Sequence, residues 1–223
     1  MTQLISVEHH DAVAVITLQR SDKKNALSIA LRDEVSSAID AIVDQVAVKV
    51  IVITGAGDTF SAGFDLTEFR TDDREHQERL WASSDRFHHA VLRCALPTIA
   101  AVNGPALAGG FDLAVLCDLR VASRTATFAH VEHAWSDVVY RPLRDLIGGG
   151  HARELVLTGR SVDVDEALSL GLVNRVAEPE RLLDATFELA HRIAEGPRDA
   201  LVRTKSKIVA AAAIDPSTRT LDL

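Results

Sequence analysis

Two strand-like runs in this chain are each followed by almost the same glycine phrase. V-K-V-I-V-I-T, from Val48, leads past Gly55 and Gly57 into A-G-F-D-L at Ala62 to Leu66. T-I-A-A-V, from Thr98, leads past Asn103-Gly104 into A-G-G-F-D-L, Ala108 to Leu113. Short apolar runs rich in β-branched residues read as strands buried on both faces. Either an Ala- and Gly-containing chain repeats itself by chance, or both loops need bare main chain at a common point.

The surrounding pattern is α/β. Leu4 to Glu8 and Val13 to Leu18 form a predicted hairpin around His9 to Ala12. Ser28 is the expected N-cap of a helix with Ile29, Leu31, Val35, Ala38, Ile39 and Ile42 at helical spacing. Arg74 to Ala95 is a predicted helix stopped by Pro97. Gly109 to Cys117 is a short one, followed by a strand at Leu119 to Ala122 and an extended piece at Ala126 to His130. Later helices are expected over Leu143 to Thr158, Val164 to Ser169, Pro179 to Glu195 and Arg198 to Ala213, with Gly171 as a helix stop. The division is thus a core over 1–142 and a helical C-terminal region over 143–223.

Bulk properties narrow the partners. The 223 residues suit one domain, or one with a helical extension, at 47% hydrophobic and 25% charged residues. A net charge of -8 disfavours nucleic acid, and an anionic substrate needs a local site that defeats the overall field. Cys94 and Cys117, both in apolar runs, read as free buried thiols of a reducing compartment. With no signal-peptide pattern and no apolar run of spanning length, a cytoplasmic location away from membranes is expected.

T-G-A-G-D-T-F-S-A-G-F, from Thr54, resembles the signature of ribokinase-like sugar kinases, in which Asp58 would be the base. There the signature follows a long nucleotide- and sugar-binding body, whereas only 53 residues precede it here. A second resemblance covers most of the chain. R-S-D-K-K-N-A-L (Arg20 to Leu27), both glycine segments, H-A-R-E-L-V-L-T-G-R and A-L-S-L-G-L-V-N-R-V resemble, in order and spacing, the enoyl-CoA hydratase/isomerase (crotonase) family.

That resemblance implies a crotonase-like ββα spiral with a helical C-terminal region, assembled as a homotrimer or dimer of trimers. It implies an acyl-CoA thioester as substrate and no cofactor besides the coenzyme A of that substrate. The backbone N–H groups of Phe64 and Gly109 would form the oxyanion hole. Two such donors contribute roughly 3–4 kcal/mol each to an enolate-like state, and glycine lets the thioester approach the main chain. The acid–base pair would be Asp112, where the family's hydratases carry Glu, and Glu132. Lys23, Lys24, Ala26, Ala62, Gly63, Asp65, Leu66 and Gly110 fall in segments that contact CoA. Asp65 and Asp118 also read as caps or satisfied buried acids rather than catalytic groups.

The implied reaction is addition of water to an α,β-unsaturated acyl-CoA. The same enolate serves enoyl- or dienoyl-CoA isomerases, and a catalytically weak acyl-CoA-binding homologue is the remaining alternative. For dienoyl isomerases the family's third acid falls on Tyr140, the nearest acid being Asp137; for aryl-CoA dehalogenases Glu132 occupies a Trp position. After Glu132 the family's glycine-rich turn is replaced by A-W-S-D-V-V-Y-R-P-L-R, in which Trp135 and Tyr140 could fill acyl space. The terminal T-R-T-L-D-L lacks the family's closing tail. His130, Glu132 and His133 are close in sequence, but in an extended segment His133 points away, so no metal is expected.

Overall fold

The computed structural model describes residues 3–70 and 72–223. The first strands, β1 (Ile5–His10) and β2 (Val13–Leu18), pair antiparallel. The hairpin is tighter than its sequence suggests. His9 and His10 still pair with Ala14 and Val13, and Asp11 turns the chain at φ 53°, a left-handed conformation that Asp tolerates better than most residues.

Helix α1 (Ile29–Val43) follows, its Ser28 cap accepting the Leu31 N–H at 3.3 Å. Strand β3 (Val50–Gly55) is buried throughout. Helix α2 (Arg74–Leu92) ends three residues before Ala95, because Pro97 bars helical geometry just upstream and the chain must unwind first. Strand β4 (Thr98–Val102) leads to β5 (Ala106–Leu107), α3 (Gly109–Leu116), β6 (Leu119–Ser123) and β7 (Thr127–Ala129).

Helix α4 (Arg141–Thr158) is broken at Gly148 (φ 77°, ψ 159°) rather than continuous, an excursion that the Gly148-Gly149-Gly150 run permits. Strand β8 (Val162–Asp163), α5 (Val164–Ser169) and β9 (Arg175–Ala177) follow. Instead of one helix over 179–195 there is a 3-10 turn, Pro179–Arg181, then α6 (Leu182–Ala194). Helix α7 (Arg198–Ala211) stops two residues before Ala213, which takes φ 53°.

The main sheet runs β1-β2-β3-β4-β6-β9, parallel from β2 onward, and a small sheet runs β5-β7-β8. Side chains alternate across the main sheet. Ala14, Ile16, Ile51 and Ile53 face one core with α1, α2 and α3, while Val13, Val15, Val50, Val52 and Ile99 face Leu182 and Ala190 of α6. The larger core also takes in Leu143, Ile147, Ala152 and Leu155 of α4. No helix among the described residues is long and apolar enough to cross a membrane.

Because β3 and β4 are adjacent and parallel, the segments leaving their carboxyl ends emerge side by side, the usual place for a ligand in an open α/β sheet. They are laced together. Asn103 accepts the Gly55 N–H at 3.1 Å and donates to the Gly57 carbonyl at 2.9 Å, and the Leu107 N–H donates to the Ser61 carbonyl at 2.9 Å.

Candidate active site

The twin glycine phrases meet. Gly63 has φ +87°, and a Cβ there would fall 2.7 Å from Ala108 Cβ and 3.0 Å from the Gly109 nitrogen. A Cβ on Gly110 would fall 2.3 Å from the Ser61 carbonyl oxygen. Only bare backbone permits this junction. Ala108 turns the chain into α3 with φ 50° and ψ -129°, a conformation costly for a residue with a β-carbon and one that collects at functional sites. Among the described residues, the N–H groups of Phe64 and Gly109 have no protein acceptor. Both residues line a cavity of about 470 Å³, and the Gly109 amide opens a helix, whose first turn carries partial positive charge.

The same cavity is lined by Asp112, in the first turn of α3, and by Glu132, in the 3-10 turn Val131–Ala134. His130 joins them. Its Nδ1 lies 3.1 Å from Glu132 Oε1 and 3.7 Å from Asp112 Oδ1. Carboxylates only accept, so the proton sits on Nδ1. Burial alone pulls the His130 pKa down, but the Glu132 hydrogen bond and the two nearby carboxylate charges outweigh it and hold the imidazole above its ordinary value. Asp112, His130 and Glu132 also offer three ligand atoms within 4.8 Å of one another. His133 does turn away, packing its ring against Gly159, although the segment is a 3-10 turn rather than extended.

The predicted CoA residues fall around this centre. Ala62 and Leu66 line the cavity. Gly63 and Gly110 form the junction behind it. Lys23 and Lys24 are exposed beside it, the Lys24 carbonyl accepting the Ala62 N–H at 2.9 Å. Ala26 gives its carbonyl to the Arg20 guanidinium. Asp65 caps the 3-10 turn Leu66–Phe69 and pairs with Arg20 at 2.9 Å, which together hold its carboxyl below the usual range despite its desolvation. Asp118 is likewise engaged, with Thr98 and Lys205. Asp58, the base of the kinase reading, is not on the cavity wall.

Several site residues carried no local signal. His88 of α2, fully buried, places Nε2 3.8 Å from Asp112 Oδ2. Arg32 of α1, equally buried, lies 4.4 Å above the Phe64 ring, with its pKa lowered by desolvation to about 10. Asp137 reaches the wall despite its spacing, as does Trp135, whereas Tyr140 packs against the main core. Thr220 and Leu221, from the C-terminal segment, complete the wall. A larger and more open groove of about 670 Å³, between the end of α2 and α7, holds none of the paired amides or carboxylates.

A parallel sheet whose adjacent loops present two free amides beside two carboxylates defines an α/β enzyme of the crotonase fold. Comparison with known proteins specifies it further. Residues 8–223 match the family model described as enoyl-CoA hydratase/isomerase. The chain is 32% identical to the short-chain-enoyl-CoA hydratase of Clostridium acetobutylicum, covering 92% of this chain and 80% of that one. It is 35% identical to 4-chlorobenzoyl coenzyme A dehalogenase-2 of an Arthrobacter species, covering 92% and 77%. The solved enoyl-CoA hydratase of Bacillus anthracis superimposes with a TM-score of 0.90 at 32% identity, over 96% of this chain and 85% of that one. The chain belongs to the enoyl-CoA hydratase/isomerase family and is an enzyme.

Proposed function

We propose that the chain hydrates a trans-enoyl-CoA to the β-hydroxyacyl-CoA. The observation that carries this reading is the pair Asp112 and Glu132, the latter hydrogen-bonded to His130, on the cavity that the Phe64 and Gly109 amides open onto. Water forms its C–O bond at the β-carbon as the C=C π bond breaks. Electron density moves to the thioester oxygen, which the two N–H groups hold. One side chain, as carboxylate, takes the proton from water, and the other, entering the step as the carboxylic acid, delivers its proton to the α-carbon and is left as carboxylate. His130, through its Nδ1 hydrogen bond at 3.1 Å, orients the Glu132 carboxylate, and its ring lies beside Asp112 at 3.7 Å. Lys23, Lys24, Ala26, Ala62 and Leu66 border the path of the CoA moiety, and assembly as a trimer is part of the same reading.

The test is crotonyl-CoA turnover, followed as loss of enoyl absorbance. The wild type is expected to turn it over, and Asp112→Asn or Glu132→Gln each to lose on the order of 10²-fold or more in kcat, with binding of butanoyl-CoA retained. Butanoyl-CoA binding without any enoyl turnover would instead favour an acyl-CoA-binding homologue. A double bond shifted rather than hydrated would favour an isomerase.

A further inference from the structure

The chain is poor in aromatic residues, with 7 Phe, 2 Trp and 1 Tyr in 223 residues. Both tryptophans, Trp81 and Trp135, nevertheless wall the one cavity that holds Asp112 and Glu132, together with Phe64 and Phe69. Three of these rings form a connected set: Phe64 and Phe69 stack at 6.2 Å and 21°, and Phe69 meets Trp81 edge-on at 6.1 Å and 79°.

The same place concentrates exposed apolar surface. Of the ten large hydrophobic side chains exposed among the described residues, five line this cavity, Trp135 being 64% exposed and Phe69 37%. Scattered exposed hydrophobics need no explanation, but a cluster around a concave site marks apolar ligand surface. Trp135 stands three residues after Glu132, in the segment that replaces a glycine-rich turn. Its backbone N–H donates to the Glu132 carbonyl at 2.8 Å, which seats Trp135 at the carboxylate end of the cavity wall. The arene edges and faces already present here complement a planar ring by offset stacking and edge contacts. A flexible alkyl chain gains only area and loses rotamer freedom on binding.

We propose that the acyl end of this cavity takes an aryl-conjugated acyl group of the 3-phenylpropenoyl kind in preference to a short or flexible aliphatic one. The inference rests on the reading of the site as the holder of a CoA thioester.

The experiment measures calorimetric affinity for three saturated esters, which cannot be hydrated: 3-phenylpropanoyl-CoA, butanoyl-CoA and octanoyl-CoA, the last matching apolar size without a ring. The expected result is at least tenfold tighter binding of the phenyl ester than of the butanoyl ester, equivalent to about 1.4 kcal/mol, and tighter binding than of the octanoyl ester. Trp135→Leu and Trp81→Leu are expected to shrink the preference for the phenyl ester to about threefold or less; the first removes an exposed side chain and should leave folding intact. Equal affinity for all three esters, or a preference for the octanoyl ester, overturns the aryl assignment while the thioester reading stands. A phenyl preference unmoved by both substitutions also overturns it. If no ester binds, the thioester reading falls and takes the inference with it. Tight binding of the phenyl ester without hydration of cinnamoyl-CoA or crotonyl-CoA supports the aryl assignment and rejects the hydratase.

Discussion

His88 Nε2 lies 3.8 Å from Asp112 Oδ2 in a part of the protein closed to solvent. The Nδ1 of the same ring lies 2.8 Å from the Ser84 carbonyl, which can only accept, so Nδ1 bears a hydrogen. Nε2 has no hydrogen-bond partner among the described residues. At 3.8 Å it is a polar neighbour of the Asp112 carboxyl rather than a hydrogen-bonded one. His88→Leu removes that polar neighbour from a buried carboxyl together with the Nδ1–H bond to the Ser84 carbonyl, a loss on the order of 1–3 kcal/mol. The expected outcome is a kcat/KM for enoyl-CoA hydration about tenfold or more below wild type, with His88→Gln falling between the two. Wild-type kcat/KM in His88→Leu would show that Asp112 does not depend on it.

His130 gives a pH dependence of known sign. Its folded-state pKa is raised, whereas in the unfolded chain it returns to about 6.5. The protonated imidazole thus contributes stability that is fully present below about pH 6.5 and is lost as pH rises through the higher folded value. Chemical denaturation of the wild type is expected to show this decline across that window. In His130→Asn, which carries no titrating ring, the decline should flatten. An unchanged slope in the variant would place its origin elsewhere.

The parts of the fold and site legible in the sequence are those set by neighbouring residues. The buried runs of β3 and β4 and the glycines after them announce themselves locally. That the two loops meet at Gly63 and Gly109, with Asp112 and Glu132 beside them, follows only from the family resemblance; the structure joins the loops and sets both acids on one cavity. His88 and Arg32 were not legible because a single His or Arg in an amphipathic helix is ordinary. What makes them part of the site is the packing of α1 and α2 against Phe64 and α3. Thr220 was hidden for a similar reason. Its hydroxyl meets Asp85 at 2.9 Å and Ser84 at 3.0 Å across more than 130 residues of chain. The break at Gly148 is not legible in the sequence because periodicity counts apolar residues, and three successive glycines contribute none.

Lys205 and Asp118 offer a test of what fastens the C-terminal helices. Lys205 of α7, 3% exposed, reaches Asp118 Oδ1 at 2.5 Å, while Oδ2 accepts the Thr98 N–H at 2.8 Å and its hydroxyl at 3.1 Å. Lys205→Met leaves Asp118 with its Thr98 donors but without its counter-charge. Removing one partner of a buried pair costs about 3 kcal/mol or somewhat more, which for a chain of this size lowers Tm by roughly 6–12 °C. Scanning calorimetry reads this directly. A shift below a degree or two would mean that water compensates the aspartate and that α7 is held by its apolar face alone.

Gly63 joins stability and catalysis most closely. An alanine there must keep φ near +87° and place its Cβ 2.8 Å from the Leu107 carbonyl and 2.7 Å from Ala108 Cβ. Both effects push the two loops apart, at a cost on the order of 1–3 kcal/mol in folding. The same displacement moves the Phe64 amide relative to the Gly109 amide. A developing oxyanion that loses one aligned donor loses about 10²–10³-fold in kcat. Gly63→Ala is therefore expected to remain folded by circular dichroism, to melt several degrees lower, and to lose kcat far beyond its loss of stability while still binding a saturated CoA ester. The comparison with Gly110→Ala sharpens the point, because its Cβ would sit 2.3 Å from the Ser61 carbonyl oxygen, behind the junction. If Gly63→Ala melted lower yet hydrated crotonyl-CoA at the wild-type rate, the two amides could not be acting together on one oxygen, and the proposed chemistry would have to be abandoned.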